Sequence, residues 1–281
     1  MLHSIERAGR AYDLRMSTLS SLQDSLGQAG RSGLRASMGW SLSWWHVVKV
    51  GALIFVLALS PSTYDRLTRA ALARHVYLGT MAVLLWFGLL SALLSVVLIR
   101  IVIVTALSYG LSQYALEMMV RVLVLELIPL GAALFVALRI TVPSGAELLR
   151  MQARGDFEAM QRTGIDPLRH ELLPNVLAGS FAVLMLATVS CLIACVLAYL
   201  AVHGFVLGAF AGFTRTLGHI FNPAVSLIFV LKTLFFSLAV ALIPVAALLR
   251  GQRNNPELES LVRLFAAILL IEVVSLVSNY Y

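Results

Sequence analysis

Residues 174–203 read PNVLAGSFAVLMLATVSCLIACVLAYLAVH and contain no Asp, Glu, Lys or Arg. A helix needs about 20 predominantly apolar residues to cross the hydrocarbon core of a bilayer. The stretch therefore predicts a membrane-spanning helix. The rest of the chain has a similar character, because 60% of its 281 residues are hydrophobic and only 12% are charged, against about a quarter in soluble domains. This composition excludes a soluble protein and predicts one membrane-embedded domain.

Four further apolar runs are long enough to span a bilayer. The polar segments between the spans differ in charge, because alternate segments are rich in arginine while the others hold Arg215 alone. Cytoplasmic loops carry an excess of Lys and Arg, so we expect the arginine-rich segments and the amino terminus in the cytoplasm and the carboxy terminus outside. The predicted spans are residues 76–104, 118–142, 174–203, 223–249 and 260–279, with 1–75, 143–173 and 250–259 inside and 105–117 and 204–222 outside.

The amino-terminal residues 1–38 are polar and arginine-rich, and the first apolar run lies too far from the start of the chain for a signal peptide. That run, Trp40–Ser60, is marginal in length and has basic residues on both flanks. A spanning helix would place one basic flank outside, which the positive-inside rule disfavours. We therefore expect an interfacial or re-entrant helix, with residues 1–75 as a cytoplasmic arm and 76–281 as the five-span domain.

The second cytoplasmic segment contains the sequence ELLRMQARGDFEAMQRTG at residues 147–164. Its apolar residues recur at spacings of three and four, which is typical of an amphipathic helix too polar to span. Gly155 in its middle costs about 1 kcal/mol relative to Ala and predicts a bend. Gly164, Asp166 and Pro167 then predict a helix stop, an N-cap and the first residue of the next helix. A surface loop on the headgroups and a docking element for a partner both remain open.

Charged residues within the predicted spans include Arg100, Arg121, Glu126, Lys232 and Glu272. Such residues are costly in a bilayer and mark functional sites by default, and the predicted topology places these five in its outer half. One interpretation is two structural ion pairs, Arg121 with Glu126 and Lys232 with Glu272, while Arg100 extends to the interface. The other is a polar pocket, open to the outside, whose basic residues bind a lipid phosphate.

The sequence has no pattern of a catalytic or cofactor-binding centre. Cys191 and Cys195 lie in an apolar run without flanking metal ligands, which favours two small core residues. A phosphate-binding loop, a nucleophile with its base and a metal cluster are all missing, so we expect no enzymatic activity, cofactor or metal. The net charge of +7 favours loops facing anionic lipid over nucleic-acid binding.

TGIDPLRHELLPNVLAG, residues 163–179, resembles the signature of the MlaE/YrbE-type ABC permeases, the membrane subunits of MCE lipid-transport systems. In that family a Met-Gly-x-Asp-Pro turn precedes a Pro-Arg pair that opens the next span. The order and number of spans from about residue 76 also agree. The matching residues are Gly164, Asp166, Pro167 and Pro174 in this stretch, and Glu126, Leu127, Pro129, Arg139, Glu147 and Leu148 upstream.

The resemblance implies an all-α integral membrane protein of the bacterial inner membrane. Five transmembrane helices would follow an amino-terminal interfacial helix, with a cytoplasmic coupling helix between the second and third spans. The implied partners are phospholipid, a cytoplasmic ABC ATPase subunit docked on residues 146–173, an MCE-domain periplasmic protein, a small cytoplasmic STAS-type accessory subunit and a second copy of the chain. Taken together, the candidate site residues are Arg100, Arg121, Glu126, Leu127, Lys232 and Glu272 for lipid, and Phe157, Met160, Gly164, Asp166, Pro167 and Arg169 for coupling to the ATPase.

The chain also departs from the family pattern, for example where Leu125 replaces the usual arginine beside Glu126. These departures leave a second hypothesis open, namely a non-transporting scaffold or partner subunit of a membrane complex. A third hypothesis is an ion-coupled carrier that uses Glu126 and Glu272 and transports without ATP. The departures are Leu125, Ile128, Leu138, Thr141, Gly155 and Asn175.

Overall fold

A computed structural model describes residues 47–57, 66–164, 166–249 and 256–280 of the chain. Over these ranges the secondary structure is helical, and no described residue lies in a strand. This confirms the all-α class. The α-helices are α1 (Val47–Leu57), α2 (Arg66–Ser108), α3 (Ser112–Met119), α4 (Ile128–Val136), α5 (Val142–Arg154), α6 (Asp156–Arg162), α7 (Leu173–His203), α8 (Phe210–Ile220), α9 (Pro223–Leu249) and α10 (Pro256–Tyr280).

Among the described residues, five helical segments are long and apolar enough to cross a membrane, which confirms the predicted number of spans. The second and third spans are longer than predicted, whereas the fourth ends one residue earlier than predicted. The second span is the clearest case, because a helical segment of 41 residues replaces the predicted 118–142. At 1.5 Å per residue it is about 60 Å long, twice the hydrocarbon thickness of about 30 Å, so it must project out of the bilayer. The five segments are Val83–Ser108, Tyr114–Arg154, Leu168–His203, Pro223–Leu248 and Leu258–Asn279.

Three stretches of π-helix interrupt the second and third spans, and each ends two residues before a proline. Proline lacks the N–H that an α-helix requires, and its ring clashes with the carbonyl group four residues earlier. A wider turn relieves that clash and redirects the carbonyl groups. The π-helical stretches are Val120–Leu127, Ala137–Thr141 and Leu168–Leu172, followed by Pro129, Pro143 and Pro174.

Helix α7 lies at the centre of Val50–Tyr281, a single compact unit, and packs against α2, α4 and α9. Helix α10 packs mainly against α9. Small residues permit close approach of membrane helices, whose association depends on such packing. A Cβ atom added to Gly179 on α7 would lie 2.9 Å from Cγ2 of Thr141, and one on Gly145 of α5 would lie 3.1 Å from Cβ of Pro244 on α9. These two glycines therefore set the spacing of the spans.

The short apolar helix α1 falls within the predicted interfacial run Trp40–Ser60. Residues 40–46 and 58–60 of that run, and the arm before it, lie outside the described residues. Val50 and Ile54 are buried, and a Cβ atom on Gly51 would lie 3.0 Å from Cδ1 of Leu242 on α9. The described part of α1 is about 16 Å long. Its position at the membrane surface stays a prediction, as does the division at residue 75.

Candidate functional site

A buried lysine on α9 forms the centre of a polar cluster among apolar helices. The ammonium nitrogen of Lys232 contacts Oε2 of Glu126, lies 2.9 Å from Oε2 of Glu272 and donates to the carbonyl oxygen of Leu125 at 3.2 Å. An ammonium group has three N–H donors, and three oxygen atoms surround this one. Its side chain is 1% exposed. The lysine therefore donates two hydrogen bonds to the second span and forms an ion pair with Glu272, whose Oε2 has no hydrogen-bond partner among the described residues.

The second span supplies two of these oxygen atoms because of its π-helical stretch. Glu126 and Leu125 belong to that stretch, which ends at Leu127. In an α-helix the carbonyl oxygen of Leu125 would bond to the N–H of residue 129, which is a proline and has none. The wide turn and Pro129 thus present this carbonyl to Lys232. The main chain of the span contributes to the site as directly as its carboxylate does.

The glutamate side chains of the cluster are more exposed than the lysine side chain. The side chains of Glu126 and Glu272 are 10% and 12% exposed, against 1% for Lys232. Two carboxylates and one ammonium give formal charges of −2 and +1, a net charge of −1. Asn279 of α10 donates from Nδ2 to Oε1 of Glu126 at 3.4 Å. Its own carbonyl oxygen Oδ1 is buried and has no hydrogen-bond partner among the described residues. The cluster is therefore rich in acceptors and poor in donors.

A groove of about 310 Å³ runs between α9 and α10 beside the cluster. Lys232 is the one charged residue on its wall, and the large apolar side chains that line it are largely exposed at the surface of the spans. Such a groove suits an acyl chain better than a polar solute. The lining residues are Ile228, Leu231, Lys232, Phe235, Leu270, Ile271, Val274, Ser275 and Ser278.

The two arginines predicted near the cluster form other contacts. Arg121 pairs with Glu117 one turn earlier, with Nη2 3.0 Å from Oε1, so the predicted Arg121–Glu126 pair does not form. Glu126 instead pairs with Lys232. The predicted pair of Lys232 with Glu272 does form, so the two glutamates share one lysine. Arg100 is exposed on α2, a helix that packs mainly against α7. The structure thus brings together three of the five charged residues.

A buried apolar cluster beside the site includes Cys191, and Leu127 and Cys195 pack against it. Cys191 of α7 contacts the carbonyl oxygen of Val124 through its sulfur atom at 3.5 Å. Both Cys191 and Cys195 are free thiols. No three His, Cys, Asp or Glu side chains among the described residues are arranged to hold a metal ion. The cysteines therefore have the core role that the sequence favours.

Sequence reasoning missed Asn279 and the carbonyl of Leu125. Asn279 follows Glu272 by seven residues, which is two helical turns and places both on one face. That spacing could have revealed it. The carbonyl could have been inferred from Pro129, four residues after Leu125. The loop 204–222 also conceals an element, because it contains the helix α8 of 11 residues.

The connection between the second and third spans has the predicted breaks. Gly155 adopts φ +79° and ends α5, and Gly164 adopts φ +78° after α6. These left-handed values favour glycine over residues with a Cβ. The Asp166 side chain accepts the N–H of Leu168 at 3.1 Å, as an N-cap does. The predicted amphipathic helix is therefore two helices, α5 and α6.

Ion pairs fix the shape of this connection. Arg154 at the end of α5 contacts Oε1 of Glu147 at 3.1 Å and Oδ2 of Asp156 at 3.2 Å, so it ties α5 to α6 across Gly155. Nε of Arg169 lies 3.6 Å from Oδ2 of Asp166. Pro167 is buried, Phe157 and Met160 are half-buried, and Asp166 and Arg169 are exposed. The segment thus presents charged groups on a locally ordered framework.

Comparison with known families supports the resemblance seen in the signature. The family model described as Permease MlaE matches residues 72–277. This range includes the first four spans, the fifth apart from its last two residues, the polar cluster apart from Asn279, and the connection between α5 and α7. No curated protein matches the sequence at a significant level. The matched region covers well over half of the chain and agrees with the helical architecture. The chain therefore belongs to the MlaE permease family and is a multi-pass membrane permease subunit of an ABC-type lipid transporter.

Proposed function

We propose that this permease moves phospholipid between the inner membrane and the periplasm or outer membrane in an MCE-type system. The observation that carries the proposal is the arrangement of one continuous helical segment, Tyr114–Arg154. It holds Glu126 of the polar cluster near one end and leads into the connection of α5 and α6 at the other. From Glu126 to Arg154 the axial distance is about 40 Å. A helical element of this length connects a lipid site to a docking site mechanically.

The connection at residues 146–173 is the proposed docking site for a cytoplasmic ABC ATPase. Its exposed charges, including Asp166 and Arg169, lie at the end of the long helices that project from the bilayer. The chain has no phosphate-binding loop of its own. Closure of a partner ATPase would push on this segment, and the helices would transmit the movement to the cluster.

The proposed lipid site surrounds the cluster in the outer half of the membrane. It comprises Glu126, Lys232 and Glu272, with Leu127 beside them and Arg121 and Arg100 closer to the approach from the bilayer. The groove between α9 and α10 provides apolar walls for acyl chains. The outward position depends on the predicted topology, with the amino terminus in the cytoplasm and the carboxy terminus in the periplasm.

The proposed assembly contains two copies of the chain. An MCE-domain protein on the periplasmic side would deliver or receive the lipid, and a small cytoplasmic STAS-type subunit would accompany the ATPase. None of these contacts involves nucleic acid. The chain hydrolyses nothing itself, so the energy of transport comes from the partner.

Reconstitution tests the proposal against the alternative of a scaffold subunit. The chain would be co-purified with an ABC ATPase and an MCE-domain protein from the same cells and placed in vesicles with a fluorescent phospholipid. We expect ATP-dependent transfer of lipid between the vesicle and the MCE protein, and ATPase activity that depends on this chain. A complex in which a second permease alone supports both activities would identify this chain as a scaffold. Transfer without ATP would instead indicate an ion-coupled carrier.

A further inference from the structure

We propose that the Glu126–Lys232–Glu272 cluster recognises the primary ammonium group of a phospholipid headgroup, and not its phosphate. This inference rests on the proposed function and adds the chemical class of the lipid. The site would favour aminophospholipids such as phosphatidylethanolamine over anionic phosphatidylglycerol. The arginine and lysine residues of the spans would otherwise suggest the opposite preference.

Lys232 is already engaged by groups of the chain itself. Its nitrogen donates to Glu126 and to the carbonyl oxygen of Leu125 and forms an ion pair with Glu272. A lipid phosphate would have to displace a carboxylate from a buried ion pair. Removing one partner from such a pair is strongly unfavourable.

A ligand that reaches the cluster meets a net negative charge. The cluster has a formal charge of −1, and its glutamate side chains are about ten times more exposed than the lysine side chain, at 10% and 12% against 1%. Arg121, the nearest arginine along the second span, pairs with Glu117. In a medium of low dielectric constant an uncompensated carboxylate attracts a cation and repels an anion.

The cluster also contains hydrogen-bond acceptors that lack donors. Oδ1 of Asn279 is buried and lacks a donor within the described part of the chain, and Oε1 of Glu126 receives only the long 3.4 Å bond from Asn279. These oxygen atoms require N–H donors. A primary ammonium carries three donors and a positive charge, whereas a quaternary ammonium carries the charge alone and a phosphate carries neither.

The acceptor groups lie near the end of the last span. Asn279 ends the last span, and Glu272 lies seven residues earlier, about 10 Å along the helix. The acceptors therefore lie from the end of the span inwards, at the depth where headgroups meet acyl chains. The groove begins beside Lys232 and is otherwise mainly apolar, so a lipid with its amine at the acceptors would place a chain there.

Native mass spectrometry of the full-length chain in detergent tests the proposal. The protein would be mixed with equal amounts of phosphatidylethanolamine, phosphatidylcholine and phosphatidylglycerol with identical acyl chains, and the bound lipids counted. We expect phosphatidylethanolamine to exceed each of the others about tenfold, the equivalent of one charge-assisted hydrogen bond. Equal binding of the ethanolamine and choline lipids, or a preference for phosphatidylglycerol, would overturn the proposal. This comparison requires no variant.

Two substitutions at one position locate the preference. Glu272→Gln makes the cluster neutral and leaves Lys232 paired with Glu126, so the ethanolamine preference should fall nearly to one. Glu272→Asp keeps the charge and should keep the preference. The matched control is Glu117→Gln, which removes the same charge from the second span outside the cluster and should also keep it. A preference unchanged in Glu272→Gln would refute the assignment.

The same data separate this inference from the proposed function. Lipid bound without headgroup preference would reject the ammonium site and leave the lipid transporter intact. No bound lipid in any variant, while the protein remains monodisperse, would reject both.

Discussion

The ammonium nitrogen of Lys232 on α9 lies 3.2 Å from the carbonyl oxygen of Leu125, the carbonyl whose α-helical partner would be the missing N–H of Pro129. A proline in the second span and a lysine in the fourth are thus linked through one backbone oxygen. The same lysine holds a carboxylate from the second span and one from the fifth. Three spans meet at a single nitrogen atom.

This link predicts an energetic coupling between Pro129 and Lys232. In Pro129→Ala the new N–H can bond to the Leu125 carbonyl, so the carbonyl no longer depends on the lysine. The loss of stability caused by Lys232→Met should therefore be smaller in the Pro129→Ala background, by about 1 kcal/mol. Thermal unfolding of the four proteins in detergent measures the coupling. Strictly additive effects would show that the lysine and the proline act independently.

A second prediction concerns the charge balance of the cluster. Lys232→Met leaves Glu126 and Glu272 together without a cation and should destabilise the protein by about 3–5 kcal/mol. The triple variant Lys232→Met, Glu126→Gln, Glu272→Gln removes the charges together and should recover most of that stability. Unfolding temperatures compare the two.

The triple variant also separates structure from function. If the cluster serves only to hold the spans together, a folded triple variant should still transfer lipid in the reconstituted complex. We expect transfer to be lost, because the headgroup contacts are gone. Full transfer by the folded triple variant would assign the cluster a structural role alone.

The spans and the breaks in the connection could be predicted because each depends on local sequence. A run without charges specifies a spanning helix, and Gly155, Gly164 and Asp166 specify turns through their own backbone and side-chain preferences. These signals survive in any tertiary context. The structure confirms the number of spans and the breaks at Gly155, Gly164 and Asp166. The second and third spans, however, extend further than the apolar runs.

The partners of the charged residues could not be predicted in the same way. Which carboxylate pairs with Lys232 depends on how α9 and α10 pack and on how the π-helical stretch turns Glu126, and neither is encoded in one span. Arg121 found its partner locally, four residues back at Glu117. An ion pair between two spans can therefore be predicted only when their packing is known. A partner four residues away in the same helix can replace it, as Glu117 does for Arg121.

Topology supplies a third prediction, for the run Trp40–Ser60. Single cysteines placed at Ser37 and at Ser62 should both resist an impermeant thiol reagent added outside intact cells, because both flanks are expected in the cytoplasm. Cys191 and Cys195 would first be replaced by alanine. Labelling at one of the two positions alone would indicate a sixth span.

A cysteine at Phe205 serves as the positive control for that measurement. Phe205 lies in the loop 204–222, which is predicted to be outside, and its side chain is 92% exposed. Phe205→Cys should react rapidly from outside. If Phe205→Cys were protected while both the Ser37 and Ser62 positions were labelled, the predicted orientation of the whole chain would be reversed.

Close packing of the spans gives a fourth prediction. Gly179→Ala would place a Cβ atom 2.9 Å from Cγ2 of Thr141, so α7 must shift away from the second span at a cost of about 1–3 kcal/mol. Gly208→Ala is the matched control, because no atom lies within 4 Å of the added Cβ. We expect a lower unfolding temperature for the first variant and no decrease for the second. Equal unfolding temperatures would mean that the contact at Gly179 does not limit helix packing.

The last prediction concerns the connection between α5 and α7, where Asp166 caps a helix and forms an ion pair with Arg169. Asp166→Ala with Arg169→Ala removes exposed charges far from the lipid site and should leave membrane insertion and lipid binding unchanged. ATPase binding or ATP-dependent transfer should decrease, because the proposed docking surface loses both its cap and its charge. Arg215→Ala on α8 is the control, since that exposed arginine belongs to the loop on the opposite side. A double variant with normal ATPase association and transfer would place the docking surface elsewhere, whereas an equal defect in Arg215→Ala would attribute the loss to surface charge in general.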